Sequence, residues 1–377
     1  MDEGARVYFY PIDIDFDSQG IIRVIGTTKD GKKVCVYDDT FKPYFWVFGN
    51  EDLDKIAKKM NEIEIDDNKV IKIEIFDKNY LSKPVKAIKV TVNKPSAVKQ
   101  IAELIRKFNL EIKEIDVNFA KRYLIDKEIT PLTLTEASGE LIEDENFDYC
   151  IKGNLKQSNE EFYDDLKVLV IDIEVYGSLG GVEKVKNDPI LMIGLLGKDL
   201  KKVITWKKFK APSYVEFVNS EAEMIERFVE NIKDYKPDCI IGYYSDEFDF
   251  PYIKARADKY KIKLNLGLDN SLIAIRRNLG ESSVKIKGIL HLDIFKFIRK
   301  IMAGSLQLDS YSLDEVANAL IHERKKELDI NNIMLAWDKV QDLEKFVEYN
   351  IHDTELTFKI FQKIYPNLAE LVKLISI

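Results

Sequence analysis

The chain lacks any run approaching the roughly 18 consecutive apolar residues that a membrane-spanning helix needs. Its opening, Met1-Asp2-Glu3-Gly4, has neither the basic nor the apolar region of a signal peptide. Membrane insertion and secretion are not expected, and the expected compartment is the cytoplasm. Cysteine is scarce: Cys35, Cys150 and Cys239 are widely spaced and form no C-x-x-C. That argues against a disulfide framework and a structural zinc site, and fits a reducing compartment. Internal repeats and low-complexity tracts are absent too. A net basic charge is also missing, the formal value being −8 over 377 residues, which at first argues against nucleic acid. The distribution removes that argument. Between Pro131 and Asp165 ten carboxylates face two lysines, so one segment holds the whole excess. Basic clusters persist at Lys207-Lys208-Phe209-Lys210, Arg276-Arg277, Lys296 to Lys300 and Arg324-Lys325-Lys326, although solvated faces account for such runs equally well.

What is present, 46% hydrophobic and 32% charged residues, suits two or three domains of about 150 residues each. Residues 1–130 read as an α+β domain. Val70 to Ile75 and Ile88 to Val92 alternate at period two, and Val98, Ile101, Ala102, Ile105 and Phe108 share one helical face after a Pro95-Ser96 start. The acidic segment 131–165 has little periodicity and reads as a linker. From Leu166 the pattern becomes α/β, with buried-strand runs at Val168 to Ile171, Ile190 to Leu196 and Cys239 to Gly242. A capping box, Ser220-x-x-Glu223, precedes an apolar helical stripe. The domain is expected to span 166–361, followed by a C-terminal helix at 362–377.

Two carboxylates, Asp172 and Glu174, end the first buried run. At i and i+2 of a strand they share a face, and they repel unless a cation neutralises them. Oxygen-only ligands point to Mg²⁺ or Mn²⁺. Asp249, in Glu247-Phe248-Asp249-Phe250-Pro251, opens a helix, where the dipole favours an anion. Tyr349 and Asp353, four apart on a late helix, share a face. Singly each pattern is weak. Solvated or salt-bridged acids, an ordinary helix cap and chance spacing explain them as well.

Together and in order, D-x-E, F-D and Y-x-x-x-D resemble the DEDD superfamily of 3′→5′ exonucleases in its tyrosine-bearing form. A histidine-bearing relative would place His where this chain has Glu348. The resemblance implies two metal ions held by Asp172, Glu174, Asp249 and Asp353, with Tyr349 positioning the water. Longer stretches are similar to archaeal family B DNA polymerases: Thr40-Phe41-Lys42-Pro43-Tyr44-Phe45, Phe119 to Asp126, Val203-Ile204-Thr205-Trp206-Lys207, His291-Leu292-Asp293-Ile294 and Tyr311 to Val316. The resemblance implies an N-terminal domain followed by an RNase H-like exonuclease domain, a mixed sheet flanked by helices. The palm motifs of such a polymerase are not found, so the chain is expected to be a fragment or split subunit unable to extend a primer. The implied partners are single-stranded 3′ ends and the template strand, with a separate polymerase-domain chain and sliding clamp.

One position departs from the family pattern. Where the polymerases usually carry an Asn that contacts the 3′ end, this chain has Tyr244. With Phe248 it is the candidate DNA contact, by stacking on a base or, less specifically, by packing. The resemblance also implies a template-uracil pocket at Phe16, Pro43, Val98 and Arg122, with Arg122 holding a phosphate; ordinary core residues and a structural arginine are the alternative. Two other functions remain open: a stand-alone repair exonuclease, and a non-catalytic template-binding or uracil-sensing module.

Overall fold

The computed structural model describes residues 4–49, 53–177, 187–326, 328 and 332–375. Two compact units emerge, Met1–Tyr163 with Val372–Ile377, and Asp164–Leu371. No described helix is long and apolar enough to cross a membrane.

In the first unit, strands Ala5–Phe16, Ile22–Thr27, Lys33–Asp38, Tyr149–Phe162 and Thr133–Leu141 close a barrel in that order. Phe9, Val24, Val36, Tyr123 and Ile151 fill it. The barrel corrects the expected 131–165 linker, because two of its strands lie there. Alternate residues Thr133, Thr135 and Ala137 are buried while Glu136 is partly exposed. The period of two is therefore real, but small and hydroxyl side chains carry it and conceal it. Gly139 and Gly153 pair across these strands, and a Cβ on Gly139 would sit 2.7 Å from the Gly153 Cα; only glycine permits so close an approach. The second sheet runs Glu64–Ile65, Asn68–Tyr80, Lys83–Val92, Tyr44–Phe48, Glu111–Lys113. Helices Leu53–Met60 and Ala97–Arg106 cover one of its faces through Phe45, Val47, Val90, Ile101 and Ile105. A third helix, Phe119–Asp126, was not anticipated.

The second unit is built on a six-stranded sheet ordered Val215–Phe217, Leu200–Thr205, Ile190–Gly197, Val168–Val175, Cys239–Gly242, Leu290–Asp293. Val168–Val175 pairs antiparallel with Ile190–Gly197 and parallel with Cys239–Gly242. This mixed sheet is the RNase H-like arrangement. Its central strand alternates between two cores. Leu169, Ile171 and Ile173 face helices Glu221–Tyr235 and Asp249–Tyr260. Val168 and Val170 face Leu356, Ile360 and Ile364 of helix Leu343–Ile375. Each such residue stabilises the sheet by about 1.5–3 kcal/mol. The capping box forms: Ser220 Oγ accepts the Glu223 N–H at 3.2 Å, while the Glu223 carboxylate reaches one residue further, to the Asn219 N–H at 2.8 Å.

No separate element begins at 362, which corrects the expected boundary. The helix continues through Pro366 to Ile375. Proline removes a single intrahelical hydrogen bond, and the apolar stripe of Ile364, Leu368 and Leu371 goes on packing beyond it.

Candidate active site

Strand alternation decides where the first two acids go. Asp172 and Glu174 continue the face of Val168 and Val170, the face covered by the long helix that carries Tyr349 and Asp353. Asp249 is the first residue of its own helix, preceded by Phe248 as the N-cap, whose side chain makes no capping bond. Asp249 is thus a first-turn acid and not the cap. All four carboxylates and Tyr349 line one cleft of about 570 Å³, and Glu174, Asp249 and Asp353 are buried.

Burial and mutual repulsion dominate the electrostatics. Asp172 is held well above the usual carboxylate range, first by burial and then by the charges of Asp353, Glu174 and Asp249. Glu174 is raised to about 8 by burial and Asp353, and Asp249 to about 7, chiefly by burial. Asp353 is raised too, burial outweighing the opposing Lys325 ammonium. That ammonium pairs with Asp353 Oδ2 and lies 4.6 Å from the Tyr349 ring centroid. Tyr349 is pushed up to about 12, mainly by burial, so its phenol stays protonated at neutral pH.

A stability prediction follows for the metal-free protein. Between the unfolded values near 4 and the folded values near 7 to 8, the folded chain retains protons that the unfolded chain releases. The contribution of these groups is full below about pH 4 and drains away as pH rises to about 8. Melting in EDTA should fall across that window in the wild type, and less steeply in Asp172→Ala; parallel profiles would show that the cluster does not titrate this way.

Among the described residues, no three acidic, histidine or cysteine side chains already converge as a ready-made metal site. The donor chemistry nevertheless fits a hard divalent cation. Every candidate donor is a carboxylate, the carboxylates raise one another, and buried Asp353 Oδ1 has no hydrogen-bond partner. Among the described residues, Lys325 pairs its positive charge with Asp353.

Residues 110–316, more than half of the chain, match the family described as DNA polymerase family B, exonuclease domain. The chain belongs to that family. It is 35% identical over 372 residues to DNA polymerase 1 of Pyrococcus abyssi, covering 97% of this chain and 44% of that protein. Identity to the DNA polymerase of Thermococcus kodakarensis is 32% over 372 residues, covering 97% of this chain and 20% of that one. The chain spans less than half the length of these curated relatives. The solved family B DNA polymerase from the hyperthermophilic archaeon Pyrobaculum calidifontis superposes with a TM-score of 0.75 at 21% identity, over 97% of this chain and 47% of that one, which shows a shared fold.

Within this family B exonuclease domain, Tyr244 follows the strand Cys239–Gly242 in a left-handed conformation, φ 67°. Asp293 holds it there, accepting the Tyr244 N–H at 3.0 Å and the Asp246 N–H at 3.1 Å. The ring packs edge-on to Phe295 at 5.1 Å, is 45% exposed and lines the cleft beside Phe248. That exposure is too great for a core filler. Tyr244→Ala should therefore leave the melting temperature nearly unchanged and weaken single-strand binding by about 1–3 kcal/mol, roughly five- to 150-fold. Tyr244→Asn should melt higher, because Asn tolerates a left-handed backbone better. Fluorescence anisotropy with an oligonucleotide in EDTA measures the first; unchanged affinity would remove the stacking role.

The expected uracil-pocket residues all lie in the first unit. Phe16 ends its barrel strand, 37% exposed, with its ring against Phe119. The Pro43 carbonyl accepts the Val92 N–H, and Val98 packs on the second sheet's core. Arg122 is buried and already engaged, with Glu114 at 2.8 Å and the Tyr44 ring at 4.4 Å. Holding a phosphate there requires opening that ion pair.

Sequence reasoning missed Lys325 and Asn350. Lys325 sat inside a basic cluster in a loop, with no periodicity to aim it at Asp353. Asn350 donates its amide to Asp172 Oδ2 at 2.7 Å. Its signal was available, since Asn350 lies three residues before Asp353 and so on nearly the same helix face.

Proposed function

We propose that this chain removes 3′-terminal nucleotides from single-stranded or mispaired DNA by divalent-metal-assisted hydrolysis, as the proofreading part of a family B DNA polymerase. The observation that carries this is the arrival of Asp172, Glu174, Asp249, Asp353 and Tyr349 in one cleft from three separate elements. The four carboxylates would hold a pair of Mg²⁺ or Mn²⁺ ions, which would supply charge to the attacked phosphate and the leaving 3′ oxygen and would acidify the attacking water. Tyr349 keeps its own proton and orients that water by hydrogen bonding. Lys325, paired with Asp353 and lying 4.6 Å from the Tyr349 ring centroid, braces that ring. Tyr244 and Phe248 take the terminal bases by stacking, and Arg277 at the cleft wall offers charge to the backbone. The partner is DNA, its 3′ end and template strand delivered by a polymerase domain on the same protein or on a separate chain with a sliding clamp, in the cytoplasm.

Reaching the cleft from a duplex requires unpairing and unstacking, at a few kcal/mol. Paired ends should thus be degraded about a hundredfold more slowly than single strands at ~3 kcal/mol. Equal rates on matched oligonucleotides of both kinds would contradict a single-strand site.

A further inference from the structure

Three elements meet at one buried point beneath Asp172. From the long helix, the fully buried Asn350 donates its side-chain amide to Asp172 Oδ2 at 2.7 Å. From the neighbouring strand, Gly194 stands opposite Asp172 in register. A Cβ built on Gly194 would lie 2.3 Å from Asn350 Oδ1, so any side chain there would displace the amide. Asn350 Oδ1 itself has no hydrogen-bond partner. An unsatisfied buried carbonyl oxygen costs about 1–3 kcal/mol. An apolar residue of the same volume would avoid that cost, so a purely packing role gives no account of an amide at this position.

We propose that Asn350 is a positioning residue for Asp172. Its amide captures one carboxylate oxygen and fixes the torsion of the side chain, leaving the other oxygen for a divalent ion, and Gly194 provides the space in which the amide can stand. The inference rests on the metal-dependent reading above and adds a residue to it. Hydrogen bonds that orient a ligand from behind tune metal affinity about 10- to 100-fold. Asn350 touches neither substrate nor water in this role; it acts only through Asp172.

The test is Mn²⁺ binding by calorimetry to the full chain, with oligonucleotide affinity in EDTA alongside. Asn350→Ala, and Asn350→Leu as the variant with the same heavy-atom branching and no polar group, should each lose about 10- to 100-fold in Mn²⁺ affinity, with oligonucleotide affinity within twofold of wild type. Gly194→Ala should show the same Mn²⁺ loss. On an Asp172→Ala background, Asn350→Ala should cause no further change, because the residue acts through a carboxylate no longer there. Wild-type Mn²⁺ affinity in either folded Asn350 variant, or a further loss on the Asp172→Ala background, would overturn the inference while leaving the metal reading intact. A wild-type chain that binds no Mn²⁺ would overturn both.

Discussion

Asp172→Ala is expected to slow hydrolysis of a single-stranded oligonucleotide by about a thousandfold or more. On the proposed metal-dependent reading, losing one carboxylate ligand would remove several kcal/mol of transition-state stabilisation, and each 1.36 kcal/mol is a factor of ten. The fold should survive, because the charges of three neighbouring carboxylates, Asp353, Glu174 and Asp249, oppose that of Asp172. Removing it relieves repulsion, which offsets the loss of the buried hydrogen bond from Asn350, so metal-free melting should be nearly unchanged. Asp353→Ala should lose as much activity but behave differently in the melt. Its carboxylate partners Lys325, and that ammonium would be left half-buried among fewer counter-charges. The pair of variants separates two effects that one alone would mix: equal kinetic losses with different changes in stability. A near-wild-type rate in either would place the metal ions elsewhere.

Lys325→Met should be the most destabilising single change in the cleft when metal is withheld. The ammonium is 24% exposed and its partner carboxylate 6%, and breaking a largely buried pair by removing one member costs about 3–5 kcal/mol. Asp353, Asp172 and Glu174 then lose the nearby cation that now lowers each of them. Because Lys325 itself is raised above its ordinary value by Asp353 and Tyr349, its contribution is fully present at neutral pH and lost only as pH rises past the ordinary lysine range. Urea unfolding at pH 7.5 in EDTA measures the loss. Saturating Mn²⁺ should restore most of it by binding the folded state, and a variant as stable as wild type in EDTA would show that the ammonium is dispensable.

How much of this was legible in the sequence depended on how local the constraint was. Asp172 and Glu174 could be read because a two-residue period places both on one face of a strand whose apolar neighbours mark it as buried. Tyr349 and Asp353 could be read because helix geometry sets their separation. Asn350 obeyed the same helical rule, yet an Asn beside a cluster of acids carries no distinctive chemistry until its partner is known. Lys325 could not be read at all: its role comes from a loop that brings it to Asp353, 28 residues away in sequence, and a lysine in a basic run looks solvated. Tyr244 showed itself as a departure, but its left-handed backbone and its exposure needed coordinates. The barrel strands of 133–162 escaped because Thr133, Thr135 and Ala137 bury little apolar surface, and a pattern built on such residues resembles a polar linker. The run from Leu343 to Ile375 was divided at 361, whereas the apolar stripe beyond Pro366 keeps enough contact to carry one helix through.

The central claim is metal-dependent removal of nucleotides from the 3′ end, and a 5′-labelled single-stranded oligonucleotide resolved to single-nucleotide steps tests it most directly. With Mn²⁺ or Mg²⁺ the full-length band should give way to a ladder shortening one nucleotide at a time, absent in EDTA and absent with Asp172→Ala. An intact strand in both metals, with protein shown to be folded by circular dichroism, would contradict the account.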